Sequence, residues 1–411
     1  MATLRYSSSL RQVKAEETLA IARKLAPALG ITRVTDVTRL DRVGVPVYVS
    51  VRPDADRRSV CVNAGKGLVP IEAEVGATME AIELAWAEFP RCRGRLDFRQ
   101  VKVSDLGTAA NPFAILDFCP VWGTPIDLDA TISCVVAEDV LGGGSALVPA
   151  EAVVHPMPDD LPGARYFGTS SNGLASGNSV EEATVHALAE VLERDVLSFH
   201  DRVWQPRRVL DDTLPDSIRE LEKQLGERGF ALLVRYLPND FGLPAFSSYI
   251  YDRDQPGLTS PGDGLHPIRE IALIRSVIES AQARLACIHG GRDDLAEIYH
   301  RYGHLSDDEK SQLFARDLGR MAGAAEPIDY REIADHSDRV SDVSSAFEVL
   351  VESLTGACRG QGTGRILRVV YTPDDYPLRV VRIVVPGLEL HSRDSLRVGP
   401  RLLRAIRAGP G

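Results

Sequence analysis

The 411 residues suffice for one large domain or two to three smaller ones, and a 44% apolar share supplies a sizeable core. A net charge of −11 excludes a protein whose whole surface binds nucleic acid, although a local basic groove stays open. No apolar signal-peptide core stands at the N-terminus, no run is long enough to cross a membrane, and none of the six cysteines forms a CxxC pair. The expectation is a cytoplasmic protein with reduced thiols, without a zinc ribbon or thioredoxin-type site; the nine histidines form no HExxH pair.

In chain order, residues 1–12 read as a polar tail or as an arm whose Arg5, Ser9 and Arg11 reach a phosphate. Ala15 to Leu29 carries Leu19, Ala22, Leu25 and Leu29 on one stripe and predicts a helix closed by Gly30. Strand material follows at Arg33 to Thr38, Val45 to Val51 and Ser59 to Asn63. Ala64-Gly65-Lys66-Gly67 reads as a loop, either a plain turn or one whose Lys66 contacts a phosphate or carboxylate; it lacks the spacing of a Walker A loop. Pro70 to Phe89 predicts a helix with acids at Glu72, Glu74, Glu80, Glu83 and Glu88, of which Glu80 and Glu83 lie one turn apart among apolar neighbours.

Residues 91–165 are mixed strand and loop, with a clear strand from Ile132 and a return to extended structure from Leu147. The chain's most informative stretch comes next. Thr169 to Asn178 is a loop of small residues running into a helix from Ser179 to Arg194, with Asn178 as cap and Glu181 at capping-box spacing. Glu182, Glu190 and Glu193 fall within a sector of roughly 80° on that helix, with His186 between them. Such a face is either solvated or neutralised by a divalent cation; the small-residue loop at a helix N-terminus adds a place for anions.

Pro215 to Gly229 predicts an amphipathic helix, Ala231 to Tyr236 and Pro244 to Tyr251 strands, and Gly257 to Pro267 a polar loop. A long helix from Ile268 places Arg275, Glu279 and Gln282 on one face, as a surface ion pair or as groups holding a phosphate and its metal. Residues 295–345 are charged and helical, and strands follow at Ile366 to Tyr371 and Val380 to Val385. The interleaving gives a mixed α/β or α+β class without a dividing linker.

These acid-bearing helices resemble the YcaO family. Its Asn with Glu at +4, +12 and +15, then Arg, is met by Asn178, Glu182, Glu190, Glu193 and Arg194; its NGxxxGN loop by Asn172 to Asn178; its ExxE helix by Glu80 and Glu83 behind Lys66; its Arg-x-x-x-Glu by Arg275 and Glu279, with Gln282 following. Gly291 to Asp294 and Val385 to Glu389 also look familial, so the blocks span about residues 60–390. Gly76, Leu84 and Ala175 depart from residues common in the family and put adenine or ribose contacts in question.

The resemblance implies a single YcaO domain, with residues 1–60 as an N-terminal arm and subdomain and 61–411 as catalytic core. It implies ATP and Mg²⁺ as cofactors and phosphorylation of a peptide backbone amide oxygen, followed by addition of a nucleophile. On that reading Glu80, Glu83, Glu182, Glu190, Glu193 and Glu279 bind metal. Glu80, Glu83, Glu190, Glu193 and Arg275 are catalytic. Lys66, Asn172, Asn178, Glu182, Arg194, Arg275, Glu279 and Gln282 hold the nucleotide. Three helices would converge on that site.

The chain has only a single terminal Pro410 in place of a PxPxP-like tail and no fused leader-binding module. That points to the stand-alone type working on a precursor peptide beside a TfuA-like or leader-binding partner, with thioamide formation as the outcome and azoline or amidine formation as alternatives. A homodimer is compatible with the family; nucleic acid and membrane are not expected partners. The competing classes are a non-catalytic peptide-binding scaffold and an unrelated ATP-dependent ligase.

Overall fold

A computed structural model describes residues 4–108, 112–200, 202–254, 261–291, 303–323, 325–358, 364–392 and 396–409. The elements follow in chain order. A hairpin, β1 (Leu4–Arg5) and β2 (Leu10–Arg11), precedes α1 (Ala15–Leu25) and the strands β3 (Arg33–Asp36), β4 (Val47–Val51) and β5 (Val62–Lys66). Helices α2 (Pro70–Ala87) and α3 (Phe89–Cys92) lead to β6 (Phe98–Lys102), β7 (Thr131–Asp139), β8 (Ser145–Pro149) and β9 (Leu174–Gly177). Then come α4 (Val180–Phe199), β10 (Arg207–Arg208), α5 (Asp216–Glu227), β11 (Phe230–Tyr236), β12 (Ala245–Asp252), β13 (Pro261–Leu265) and α6 (Arg269–His289). The chain closes with α7 (Asp307–Gly323), α8 (Val343–Ala357), β14 (Leu367–Val370), β15 (Arg379–Val384) and α9 (Pro400–Ala408).

Two units divide the chain. The first holds residues 1–81 and 204–342, the second residues 82–203 and 343–411, so the division falls inside α2. In the first unit, β3-β4-β5 form one antiparallel sheet and β10-β11-β12-β13 another. Helix α6 serves both. Leu273, Val277 and Ile278 enter a core with Phe230, Phe246 and Ile250, while Leu285 joins Val47, Val49 and Val62 beneath the smaller sheet. Each such side chain contributes about 1.5–3 kcal/mol by leaving water, so α6 is fixed by burial on two sides.

The second unit is built on the antiparallel sheet β6-β7-β14-β15-β9, with β8 also paired to β7. Helix α4 lies over β9 and β15, and α8 packs on α4. The burial of Ala183, Ala187, Leu188, Val191 and Leu192 explains its small-residue and leucine pattern.

Three expected loops are strands in whole or part, for one physical reason. Gly65 ends up inside β5, because a Cβ there would stand 2.0 Å from Ala77 N and 2.2 Å from Ala73 O of α2. Residues Leu174–Gly177 form β9 and bring Gly177 to 2.7 Å from Ala183 N by the same measure. Pro261–Leu265 form β13, whose Gly262 and Gly264 would meet the α6 backbone at 2.1 and 2.2 Å. These glycines permit strand-on-helix contact, whereas their composition had suggested turns. A further correction concerns the cap of α4. Ser179 fills it, its Oγ accepting from Glu182 N at 3.0 Å, and Glu181 accepts from Ser344 Oγ. Helices α8 and α9 were not anticipated. Arg292 to Asp294, residues 255–260 of the predicted polar loop, and Pro410 lie outside the described residues.

Candidate functional site

In the first unit the predicted residues gather on the edge of β5. Ala64 N donates to Glu80 Oε2 at 3.3 Å, and Gln282 Nε2 donates to Ala64 O at 2.5 Å. Lys66 Nζ pairs with Glu279 Oε2, both side chains about a quarter exposed. One strand thus brings Glu80 of α2 together with Glu279 and Gln282 of α6. Lys66, expected on a loop, is fixed by strand register, with Val47 as its partner on β4.

One turn away from Glu279 is Arg275, half-buried, whose Nε has no hydrogen-bond partner among the described residues. Its charge acts on His266, which is 6% exposed. Burial first, then Arg275, then more weakly Arg5 and Arg11, hold this imidazole down at about 3, while its Nδ1 accepts from Ile268 N at 3.0 Å. His266 is therefore neutral at any ordinary pH and leaves the positive charge to Arg275. Sequence reasoning missed His266; its place two residues before the N-cap position of α6 was the available signal. The stretch read as a polar tail or a phosphate-reaching arm contains a hairpin in which Arg5 pairs with Glu270 and Ser7 with Glu72.

In the second unit Glu83 accepts from Ser176 N at 2.9 Å and Ser176 Oγ at 2.6 Å. Glu182 is 2% exposed and its Oε1 accepts from Asn178 N and Nδ2 at 3.3 and 3.1 Å. A carboxylate in the first turn of a helix is favoured by the macrodipole, which offsets part of the cost of burying it. Glu193 is also buried, at 5% exposure, and Glu190, His186 and Arg194 are half-buried. The acids of α4 are thus not a solvated face. Asn172 N donates to Ser170 Oγ, and Asn172 lines a small cavity of this unit. Ser176, which orders Glu83, escaped the sequence reading; it sits inside the quoted NGxxxGN stretch.

Directly after Arg194 the chain reaches Asp195, 0% exposed, which accepts from Glu389 N and from Arg401 at 2.6 Å each. Burial outweighs the Arg401 charge and raises this carboxyl to about 6. Glu389 itself accepts from Gly399 N and Leu402 N at 2.6 and 2.8 Å, so the familial Pro-Gly-Leu-Glu block holds the first turn of α9.

Among the described residues no three His, Cys, Asp or Glu side chains form a ready metal cage. The donors the sequence proposed are all carboxylates, hard oxygen ligands that suit Mg²⁺ shared with phosphate better than a closed all-protein site. The donor set therefore fits magnesium.

Comparison with known proteins defines the class. The family model for the YcaO cyclodehydratase, ATP- and Mg²⁺-binding, matches residues 64–389. An uncharacterised protein of Methanothermobacter thermautotrophicus is 33% identical over 405 residues, covering 96% of this chain and 99% of its own. A protein of Rhizobium leguminosarum bv. trifolii, described as lying in the tfuA 3′ region, is 28% identical over 97% of this chain and 93% of its own. Among solved structures, YcaO from Methanopyrus kandleri bound with AMPPCP and Mg²⁺ superposes with a TM-score of 0.74 at 24% identity, over 97% of this chain and 98% of that one. A heterocyclase in complex with substrate and cofactor gives the same score at 18% identity, over 100% of this chain and 57% of that one. The chain belongs to the YcaO family, a family of ATP- and Mg²⁺-binding, peptide-modifying enzymes. Among the described residues no helix is long and apolar enough to cross a membrane.

Proposed function

We propose that this enzyme uses ATP to phosphorylate a backbone amide oxygen of a precursor peptide and then admits external sulfide, giving a thioamide, with a TfuA-like protein as partner. The observation that carries the outcome is the 28% identical relative from the tfuA 3′ region, aligned over nearly the full length of both chains. The chemistry balances. The amide oxygen takes the γ-phosphoryl group, hydrosulfide adds to the amide carbon, and phosphate leaves with the original oxygen.

Within that reading Glu80, Glu83, Glu182, Glu190, Glu193 and Glu279 are the Mg²⁺ ligands. Bound Mg²⁺ would neutralise charge on the transferring phosphoryl group. Ser176 and Asn178 orient Glu83 and Glu182 by the hydrogen bonds described above. Lys66 pairs with Glu279 and holds it in place until nucleotide arrives. Arg275 and Arg194 supply fixed positive charge for phosphate oxygens, and neutral His266 avoids competing with Arg275. Asn172 and Gln282 complete the nucleotide contacts. Among the described residues the six cysteines form no disulfide, which favours a reducing compartment such as the cytoplasm.

The test is mass spectrometry of a candidate peptide incubated with enzyme, partner, MgATP and sulfide. A gain of about 16 Da identifies the thioamide, and a loss of about 18 Da cyclodehydration. Glu190→Gln and Glu193→Gln should each lower turnover at least about tenfold through loss of phosphoryl-charge neutralisation. Wild-type rates in both variants would remove the metal assignment. Cyclodehydration is the second reading, because the matching family model carries that description.

A further inference from the structure

The second unit contains a cavity of about 50 Å³, lined in part by Asn172, whose two arginines none of the assigned roles uses. By volume it holds roughly three to five waters. Two guanidinium groups line it, those of Arg382 and Arg397, only 1% and 5% exposed. Arg382 donates to Asn172 O at 2.5 Å and Val153 O at 3.2 Å and hydrogen-bonds Tyr371, and its buried Nε has no partner among the described residues. Arg397 donates from Nε to Cys119 O at 2.9 Å and from Nη2 to Phe118 O at 2.6 Å.

Among the described residues neither arginine makes an ion pair with a carboxylate. Two buried cations without a paired anion are costly. The acids on the same wall do not discharge them by direct contact. Asp117 accepts from Ala114 N, and Glu389 from Gly399 N and Leu402 N. Burial pulls the Arg397 guanidinium below its ordinary value although Cys119 and Glu151 act in the opposite direction, and its Cζ lies 5.5 Å over the Phe167 ring.

Ser170 completes the arrangement. Its Oγ accepts from Asn172 N, which leaves the hydroxyl proton to donate elsewhere, and it lines the same cavity. The loop is held there by backbone. Ile383 N donates to Gly173 O at 2.8 Å, and Gly173, at φ +74°, lies so close to β15 that a Cβ would stand 2.2 Å from Ile383 O.

We propose that this cavity binds a small inorganic anion, held by Arg382, Arg397 and the Ser170 hydroxyl. The reading of function rests beneath only one part of this, the choice of source. The anion is either hydrosulfide arriving as the nucleophile or orthophosphate leaving as the product, and both share the same chemistry of a compact, multiply hydrogen-bonded charge.

The experiment is equilibrium binding to the full chain without ATP or peptide and with EDTA present, so that magnesium carboxylates play no part. One arm uses orthophosphate, the other hydrosulfide under anaerobic conditions, and both are read against chloride. Saturable one-to-one binding is expected in at least one arm, and the arm that binds names the source. Arg382→Lys should weaken it roughly tenfold to a hundredfold, as for loss of hydrogen bonds to a charged group. Ser170→Ala, a milder change that carries the test if the arginine variant does not fold, should weaken it severalfold. No saturable binding in either arm, or binding unchanged in the folded variants, overturns the site. Anion binding that Ser170→Ala weakens, in an enzyme that never forms a thioamide, would retain the site and remove the reading of function.

Discussion

Gly65→Ala is the sharpest test of the contact between β5 and α2. On an ordinary extended loop this change would stabilise the protein by about 0.4–1 kcal/mol, by reducing the entropy of the unfolded chain. Gly65 has no positive φ to forbid it. The structure reverses the sign. The added methyl carbon would sit 2.0 Å from Ala77 N, 2.2 Å from Ala73 O and 2.6 Å from Gly76 C, all backbone atoms of α2. To reach an ordinary 3.4 Å, helix and strand must part by more than an ångström. Two anchors resist this: Ser50 Oγ donating to Ala77 O at 2.7 Å and Ala64 N donating to Glu80. Overpacking of this kind costs about 1–3 kcal/mol, which in a unit of this size lowers Tm by roughly 2–12 °C.

The control is Gly76→Ala, which approaches the same contact from the helix side. Its Cβ would lie 3.3 Å from Gly65 Cα and 3.6 Å from Lys66 N, a gap closed by a few tenths of an ångström, and it replaces a helix glycine worth about 1 kcal/mol against alanine. Urea and thermal denaturation should therefore find Gly65→Ala clearly destabilised and Gly76→Ala neutral or stabilised. Equal effects, or a stabilised Gly65→Ala, would refute the strand-on-helix contact.

Three further outcomes follow from single contacts. Folded His266 is held near 3, below its ordinary 6.5, so its contribution to stability is complete above pH 6.5 and is lost as pH falls toward 3, at up to about 1.4 kcal/mol per pH unit. His266→Asn keeps an acceptor for Ile268 N without the titration, and its Tm should fall less steeply than wild type between pH 6.5 and about 4; parallel curves would refute this. Glu389→Gln weakens two charge-assisted bonds to the first turn of α9 and should cost about 1.5–3 kcal/mol, read by denaturation and by faster proteolysis of α9. Ser176→Ala removes the 2.6 Å bond to Glu83 but keeps the backbone donor; kcat/KM for ATP should fall about tenfold, equivalent to 1.4 kcal/mol, with Tm within about 2 °C of wild type.

Much of the site was legible because it is written in helix periodicity. Glu182, Glu190 and Glu193 recur at spacings that share a face; the sequence left that face either solvated or neutralised by a cation, and the burial of Glu182 and Glu193 decides against the solvated reading. The α4 cap was misassigned by one residue because Asn178 and Ser179 are both good caps, and local sequence does not say which amide the Glu182 carboxylate captures. Asp195 and Glu389 were opaque for a different reason. Their partners lie 206 and 13 residues away, and only tertiary structure pairs them. The strands β5, β9 and β13 were the least legible, since glycine is read locally as a turn former.

Those glycine strands have a role in placing the functional groups. A carboxylate that must hold magnesium needs its geometry fixed to within about 0.5 Å by the elements that support it. Direct backbone contact through glycine supplies part of that constraint. Gly65 abuts Ala77, within one turn of Glu80; Gly177 abuts Ala183 and the Cβ of Glu182; Gly262 abuts Glu279, and Gly264 the Cβ of Arg275. In all three helices the closest strand approach falls at or within a turn of the group proposed to bind nucleotide or metal. The strands add a second constraint through hydrogen bonds, from Ala64 N to Glu80 and from Ser176 N to Glu83. Small residues that look like flexible connections thus set where the acids stand, and a methyl group added at any of them would move a proposed ligand before it disturbed the hydrophobic core.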